Sequence, residues 1–317
     1  MKKLMMRRRK RCRYGAALTV LLGLLAIANW FCSTNGDVGV DPGWRDELRR
    51  FRQEKDREFK TSPTSPMAGV RRLTVAAGSR VFLKEIDGDV TLSNTREPEV
   101  KFSLIGEEGK WRWESPGPGI TCKAGGKTVP DGSALPGGAE FRLGRLTLTA
   151  YPGKEKLTLI VFNPQRPNIE QFSKLLYFPP DPEFVIAASF EKLSQLTPVT
   201  MLTSQNLEKT FYRYGRIKFR LEGQDLQLTA FTFSPKPGTD VGSLFIPFSD
   251  RTNGKETYGA GRFLEIPVPK AKPFQLDFNY CYNPLCNYSP AYNCPIPPVE
   301  NNLPVSIRAG EKTYPHH

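Results

Sequence analysis

Histidine is almost missing from this chain of 317 residues: the only two, His316 and His317, close the sequence. Chain ends are usually mobile, so neither is a credible base. That removes Ser-His-Asp and Cys-His arrangements, histidine-ligated zinc and the His-Glu-x-x-His helix. No Gly-x-x-x-x-Gly-Lys-Ser phosphate loop is present, nor a glycine-rich dinucleotide fingerprint after a strand. No internal repeat is visible. Any catalysis would rest on carboxylates, cysteine, lysine, tyrosine or a hard cation held by oxygen ligands. No cofactor and no metal site is expected.

The net charge of +13 invites a nucleic-acid reading, but it is concentrated at one end. Lys2, Lys3, Arg7, Arg8, Arg9, Lys10, Arg11 and Arg13 supply eight of those charges. The remainder carries +5 once these eight are subtracted from +13. That balance requires no polyanionic partner, and no nucleic-acid binding is expected.

The same end reads as a targeting signal. The basic run is followed by an uncharged apolar stretch, Tyr14 to Ala28, then Asn29, Trp30, Phe31 and Cys32. A charged flank before an apolar run marks export. Ala26-Ile27-Ala28 offers a small-x-small cleavage site. Counted to Phe31, the run is long enough for an uncleaved anchor. Residues 1–32 are therefore expected to be a signal peptide or an N-terminal membrane anchor. Either would deliver the remainder to the periplasm or another extracytoplasmic space, with membrane contact only through this segment.

Of six cysteines, Cys12 would stay behind, and Cys32, Cys122, Cys281, Cys286 and Cys294 would lie outside. An oxidising compartment makes Cys286–Cys294 the expected disulfide. Closing a loop of about nine residues would stabilise the fold by roughly 2.6 kcal/mol. Cys281, Cys286 and Cys294 lack a fourth ligand and do not have zinc-finger spacing.

Proline (28) and glycine (27) are plentiful, which suits short strands and many turns rather than long helices. The fold class is all-β, with a short N-terminal helix. Residues 33–66 read as a linker and an amphipathic helix, in which Trp44, Leu48, Phe51 and Phe59 recur near helical spacing. Ser62-Pro-Thr-Ser-Pro66 ends it. Residues 67–165 form a small β-sandwich whose candidate strands include Leu73–Val75, Val81–Leu83, Val90–Leu92, Val100–Phe102, Phe141–Leu143, Leu146–Leu148 and Leu157–Phe162. Residues 166–314 form a second β-barrel or sandwich domain, introduced by an aromatic plug around Phe172 and Phe178. Its strands are expected at Phe184–Ile186, Tyr214–Leu221, Leu226–Phe231, Leu244–Ile246, Phe274–Phe278 and Leu303–Ile307. Glu222-Gly223 marks a hairpin.

The C-terminal part is dense in Asp, Asn, Glu, Arg, Tyr and Pro. The segments that stand out are Pro247–Arg262, Asp277-Phe-Asn279, Tyr282-Asn-Pro284, Cys294-Pro-x-Pro-Pro298, Glu300-Asn301 and Ala309-Gly-Glu-Lys312. With Trp44, Ser62-Pro-x-Ser-Pro66 and Leu176-Tyr-Phe-Pro-Pro180, they resemble the bacterial family known as domain of unknown function 1684. The resemblance implies a bacterial protein without an assigned activity. It also implies a forkhead-associated-like sandwich in the N-terminal half. The Gly-Arg, Ser and His pattern of phosphothreonine readers is absent, so phosphopeptide binding is not implied. Cys281 stands where the family pattern suggests alanine.

Three meanings of the cluster remain open. It can be a ligand site in which Arg262 forks onto an anion and Asp277, Asn279, Asn283, Glu300, Asn301 and Lys312 fix polar groups. Asp250, Glu256, Tyr258 and Glu311 complete that candidate set. Alternation along a strand would put Asp277 and Asn279 on one face, with Phe278 on the other. It can instead be a hydrolase centre, a pair drawn from Asp250, Glu256, Asp277, Glu300 and Glu311 serving glycoside-type cleavage. Or it can be turn chemistry alone, with Arg262–Asp277 or Lys312–Glu300 as satisfied ion pairs. The working expectation is an exported binding protein for a small polar or anionic ligand or another envelope component.

Overall fold

The computed structural model describes residues 40–86, 89–107, 109–115, 120–233 and 241–315. The expected signal or anchor, residues 1–32, lies outside them. Among the described residues no helix is long and apolar enough to cross a membrane.

The protein is mostly β, with one long helix, Trp44–Thr61. That helix exists because its apolar residues recur on one stripe: Trp44, Leu48 and Phe59 are buried, while most of the intervening charges are exposed. It stops at Thr61, two residues before Pro63. Ser65 caps the following short turn and donates its hydroxyl to the Phe59 carbonyl at 2.6 Å.

The first β unit packs two antiparallel sheets face to face. One has, in spatial order, Gly69–Ala76, Lys156–Phe162, Leu146–Pro152, Ala139–Leu143, Cys122–Ala124 and Lys127–Thr128. The other has Asp89–Ser93, Arg80–Ile86, Val100–Glu107 and Lys110–Glu114. Their inner faces share one core that includes Leu83, Phe102, Leu104, Trp111 and Trp113 from the smaller sheet and Phe141, Leu148 and Leu159 from the larger. This is a β-sandwich. The Lys110–Glu114 strand was not among those expected, although Lys-Trp-Arg-Trp-Glu alternates; its two tryptophans are buried.

The second β unit is a single curved sheet of six strands. Its order is Arg262–Pro267, Ser243–Phe248, Gln224–Thr232, Glu208–Leu221, Val185–Leu202 and Phe274–Asp277. Glu222 and Gly223 both have positive φ and turn the central hairpin as expected. The inner face is covered by irregular chain: Cys281, Leu303, Val305, Ile307 and Ala309 join its core. The strand expected at Leu303–Ile307 does not form. The backbone of this segment is taken up elsewhere, Val305 O accepting from Arg251 N and Ile307 O from the Arg262 guanidinium.

A third core joins the helix to both β units. It includes Phe59 from the helix, Ile160 and Phe162 from the sandwich, and Phe211, Phe231 and Phe245 from the curved sheet. Phe172 and Leu175 of the expected aromatic plug lie in it, together with Tyr288 and Tyr292 of the C-terminal loops.

Candidate functional site

Arg262 begins the edge strand of the curved sheet and is fully buried. Its guanidinium donates to Asp250 Oδ2 at 2.7 Å, to Ile307 O at 2.7 Å and to the Ala309 carbonyl, with a longer contact to Glu311 O at 3.4 Å. It is a clamp that replaces the hydrogen bonds of a strand the chain does not make. Asp250, also buried, accepts from Thr252 N and Thr252 Oγ1 through Oδ1. The ion pair that the sequence offered between Arg262 and Asp277 is therefore not made, because Asp250 holds the guanidinium instead.

The remaining candidates have equally private partners. Asp277 accepts from the indole Nε1–H of Trp44 at 2.6 Å and caps the short turn Phe278–Tyr280 through Asn279 N at 2.8 Å. Asp277 and Asn279 do meet, at 2.9 Å, but through this cap and not by strand alternation, since the strand ends at Asp277. Asn279 also holds the backbone of Asp181 at both its N–H and its carbonyl. Asn301 is buried and bonds Thr229 N, Thr229 O and Pro247 O. Glu300 takes a bidentate pair from Arg213 at 2.9 and 3.0 Å, and so is not the partner of Lys312. Lys312 lies over the Phe178 ring at 4.9 Å. Glu256 pairs with Arg308 at 2.9 Å.

Glu311, one per cent exposed, joins the C-terminal loops to the helix. It accepts from Asn283 N and from Tyr288 Oη, each at 2.7 Å, and meets Lys55 of the helix at 2.6 Å. Burial and Glu311 together push the Tyr288 phenol far up, so it stays a donor.

Cys286 and Cys294 are free thiols, so the expected disulfide is not formed. The two do lie side by side: Cys286 N donates to Cys294 Sγ at 3.3 Å, and Tyr258 Oη contacts Cys286 Sγ at 3.5 Å. Among the described residues no group of three or more His, Cys, Asp or Glu side chains is placed to hold a metal ion.

The predicted residues thus form a network rather than a hollow. The open space lies beside them, against the helix. A groove of about 430 Å³ is lined by Phe51, Glu54, Lys55, Glu58, Glu265, Tyr280 and Tyr282. Phe51, Glu54, Lys55 and Glu58 fall on one helical stripe by their spacing of three and four. The opposite wall comes from Glu265 on the edge strand and from the two tyrosines that flank Cys281. Phe51 meets Tyr280 edge-on at 5.0 Å, and Tyr282 donates its hydroxyl to Glu265 Oε1 at 2.5 Å. Burial, with Glu265 beside it, raises the Tyr282 phenol well beyond its ordinary range, so it remains protonated. Lys55 lies over the Tyr282 ring at 4.8 Å while paired to Glu311 below. Sequence reading missed this wall because Phe51 read as part of the helix's docked apolar stripe and Glu58 as one of the charges between. The exposed Phe51, standing in an apolar stripe whose other members are buried, was the available signal.

Residues 170–312 match a family model described as a protein of unknown function, DUF1684. A solved structure is also similar: an uncharacterized protein of Haloarcula marismortui, determined by solution NMR. It is 31% identical, over 48% of this chain and 83% of that one, with a TM-score of 0.40. Residues 170–312 of this chain belong to the DUF1684 family. No curated protein matches it. The match covers the Arg262 clamp, the Asp277 cap, Asn301 and Glu311 of this DUF1684 protein, whereas the helical wall of the groove precedes it.

Proposed function

We propose that this DUF1684 protein is an exported binding protein, and that the groove between its helix and its C-terminal loops takes a small organic cation. The observation that carries the reading is the groove's chemistry, three carboxylates facing three aromatic rings. Glu58 makes no ion pair among the described residues, Glu54 pairs only with the exposed Arg57, and Glu265 accepts a neutral hydroxyl. The one cation in the lining, Lys55, is already neutralised by Glu311. The surplus is negative, and ring faces with carboxylates attract ammonium groups. Lys55 itself, an ammonium resting on Tyr282, is an internal example of that contact. An anionic ligand is disfavoured at Arg262, because that side chain is fully buried and its two terminal nitrogens are held by Asp250 and the Ile307 and Ala309 carbonyls. A hydrolase finds no support, since Asp250, Asp277, Glu300 and Glu311 each neutralise or cap a separate partner. Export rests on the basic and apolar run of residues 2–28.

The test is a thermal-shift and calorimetric screen of primary and quaternary amines against matched carboxylates and phosphates. A ligand at 100 times its Kd adds about 2.7 kcal/mol of stability. Stabilisation by amines alone, weakened by salt and lost in Glu58→Gln/Glu265→Gln, is expected. Shifts with anions only, or with nothing, overturn the reading. Export is tested by fusing residues 1–43 to a reporter active only outside the cytoplasm; a silent fusion rejects it.

A further inference from the structure

A second centre lies in the C-terminal loops and is independent of the groove. Cys286 sits in the short turn Leu285–Asn287 and is half-buried; Cys294 is buried behind it. The Cys294 loop is tied to a hairpin end: Ser204 N donates to Cys294 O at 2.8 Å, and Cys294 N donates to Ser204 Oγ at 3.2 Å. Tyr258 Oη contacts the Cys286 sulfur at 3.5 Å, and the Ser204 hydroxyl lies close to the pair. Two thiols in contact, one reachable and one shielded, with donors around the reachable one, form the arrangement that thiol–disulfide exchange needs.

We propose that Cys286 and Cys294 are a redox-active dithiol that is oxidised by disulfides, with Cys286 attacking and Cys294 resolving. The Cys286 thiolate attacks one sulfur of a disulfide R–S–S–R. The R–S–S–R bond breaks, a Cys286–S–S–R bond forms, and one thiolate leaves. Cys294, as its thiolate, then attacks Cys286 Sγ and expels the second. The protons from both cysteines end on the two released thiols, so the protein loses two hydrogens and the disulfide becomes two R–SH. The assignment of roles follows from access, and the electrostatics agree with it. Hydrogen bonds from Cys294, Tyr258 and Ser204 lower the Cys286 thiol below its ordinary range, and the same contact with Cys286 drives Cys294 upward. Cys286 therefore ionises more readily than an ordinary cysteine, which is a few per cent thiolate at pH 7.

The full chain, reduced and desalted, is exposed to oxidised glutathione and mapped by differential alkylation. The proposal expects a Cys286–Cys294 peptide lighter by two hydrogens, restored by dithiothreitol without unfolding. It expects Cys294→Ser to hold a stable glutathione adduct on Cys286. It also expects iodoacetamide labelling of Cys286 to rise at a lower pH than that of an ordinary cysteine, well before Cys294 reacts. Recovery of both thiols unmodified overturns it, as does a bond that dithiothreitol reduces only after denaturation, which would make the pair a structural staple. Labelling of Cys286 with the midpoint of an ordinary thiol assigns no attacking role to it and equally overturns the proposal.

Discussion

Replacing Arg262 by methionine should separate a clamp from a ligand site more sharply than any other single change. Methionine keeps much of the volume and loses the charge. It leaves Asp250 buried without its cation and frees the carbonyls of Ile307 and Ala309. Breaking a buried ion pair by removing one partner costs about 3–5 kcal/mol. In a body of this size that corresponds to roughly 6–15 °C in Tm. The second variant, Arg262→Met with Asp250→Asn, also removes the stranded charge. The amide oxygen introduced by Asp250→Asn would still accept from Thr252 N, which the carboxylate now does at 2.7 Å. The double variant should therefore recover about 1–2 kcal/mol relative to the sum of the two singles, a coupling readable by urea titration of all four proteins. A loss of less than about 1 kcal/mol in Arg262→Met, or strict additivity across the cycle, would show that the pair does not hold the C-terminal segment. A clamp predicts no change in amine binding by whatever fraction stays folded.

Other perturbations probe other joints. Trp44→Phe removes the indole donor to Asp277 and should cost about 1–3 kcal/mol, measured by thermal unfolding followed by far-UV circular dichroism. Asn301→Ala strands the backbone groups of Thr229 and Pro247 and should cost about 2–4 kcal/mol by the same assay. Gly310→Ala places a Cβ 2.5 Å from Cys281 O at a φ of +74°, and should cost at least about 2 kcal/mol or abolish soluble expression. Tyr280→Ala opens one wall of the groove and should weaken amine binding about three- to tenfold in calorimetry, with Tm nearly unchanged because that ring is only half-buried.

Much of the architecture was written in local pattern. The helix was legible from the spacing of Trp44, Leu48 and Phe59 and from the prolines behind it, and most strands from short alternating runs. Glu222-Gly223 turned as its residue types require. The segment Leu303–Ile307 misled because Leu, Val and Ile alternate there. Their apolar side chains do enter the core, but the backbone is claimed by Arg262 and Arg251, which are distant in sequence.

The site shows the same division. Composition alone ruled out histidine chemistry and flagged Asp250, Arg262, Asp277, Asn279, Asn301 and Glu311 as unusual, and spacing put Cys286 near Cys294. Which carboxylate meets which cation depended on how loops from Trp44 to Glu311 fold over one sheet. A charged side chain takes the partner within reach, and reach is set by tertiary packing, not by residue type. The sequence by itself determined the β class, the helix and the inventory of polar groups. Only the tertiary structure decided that most of those groups bond one another inside the protein while an aromatic, acidic groove remains open beside them.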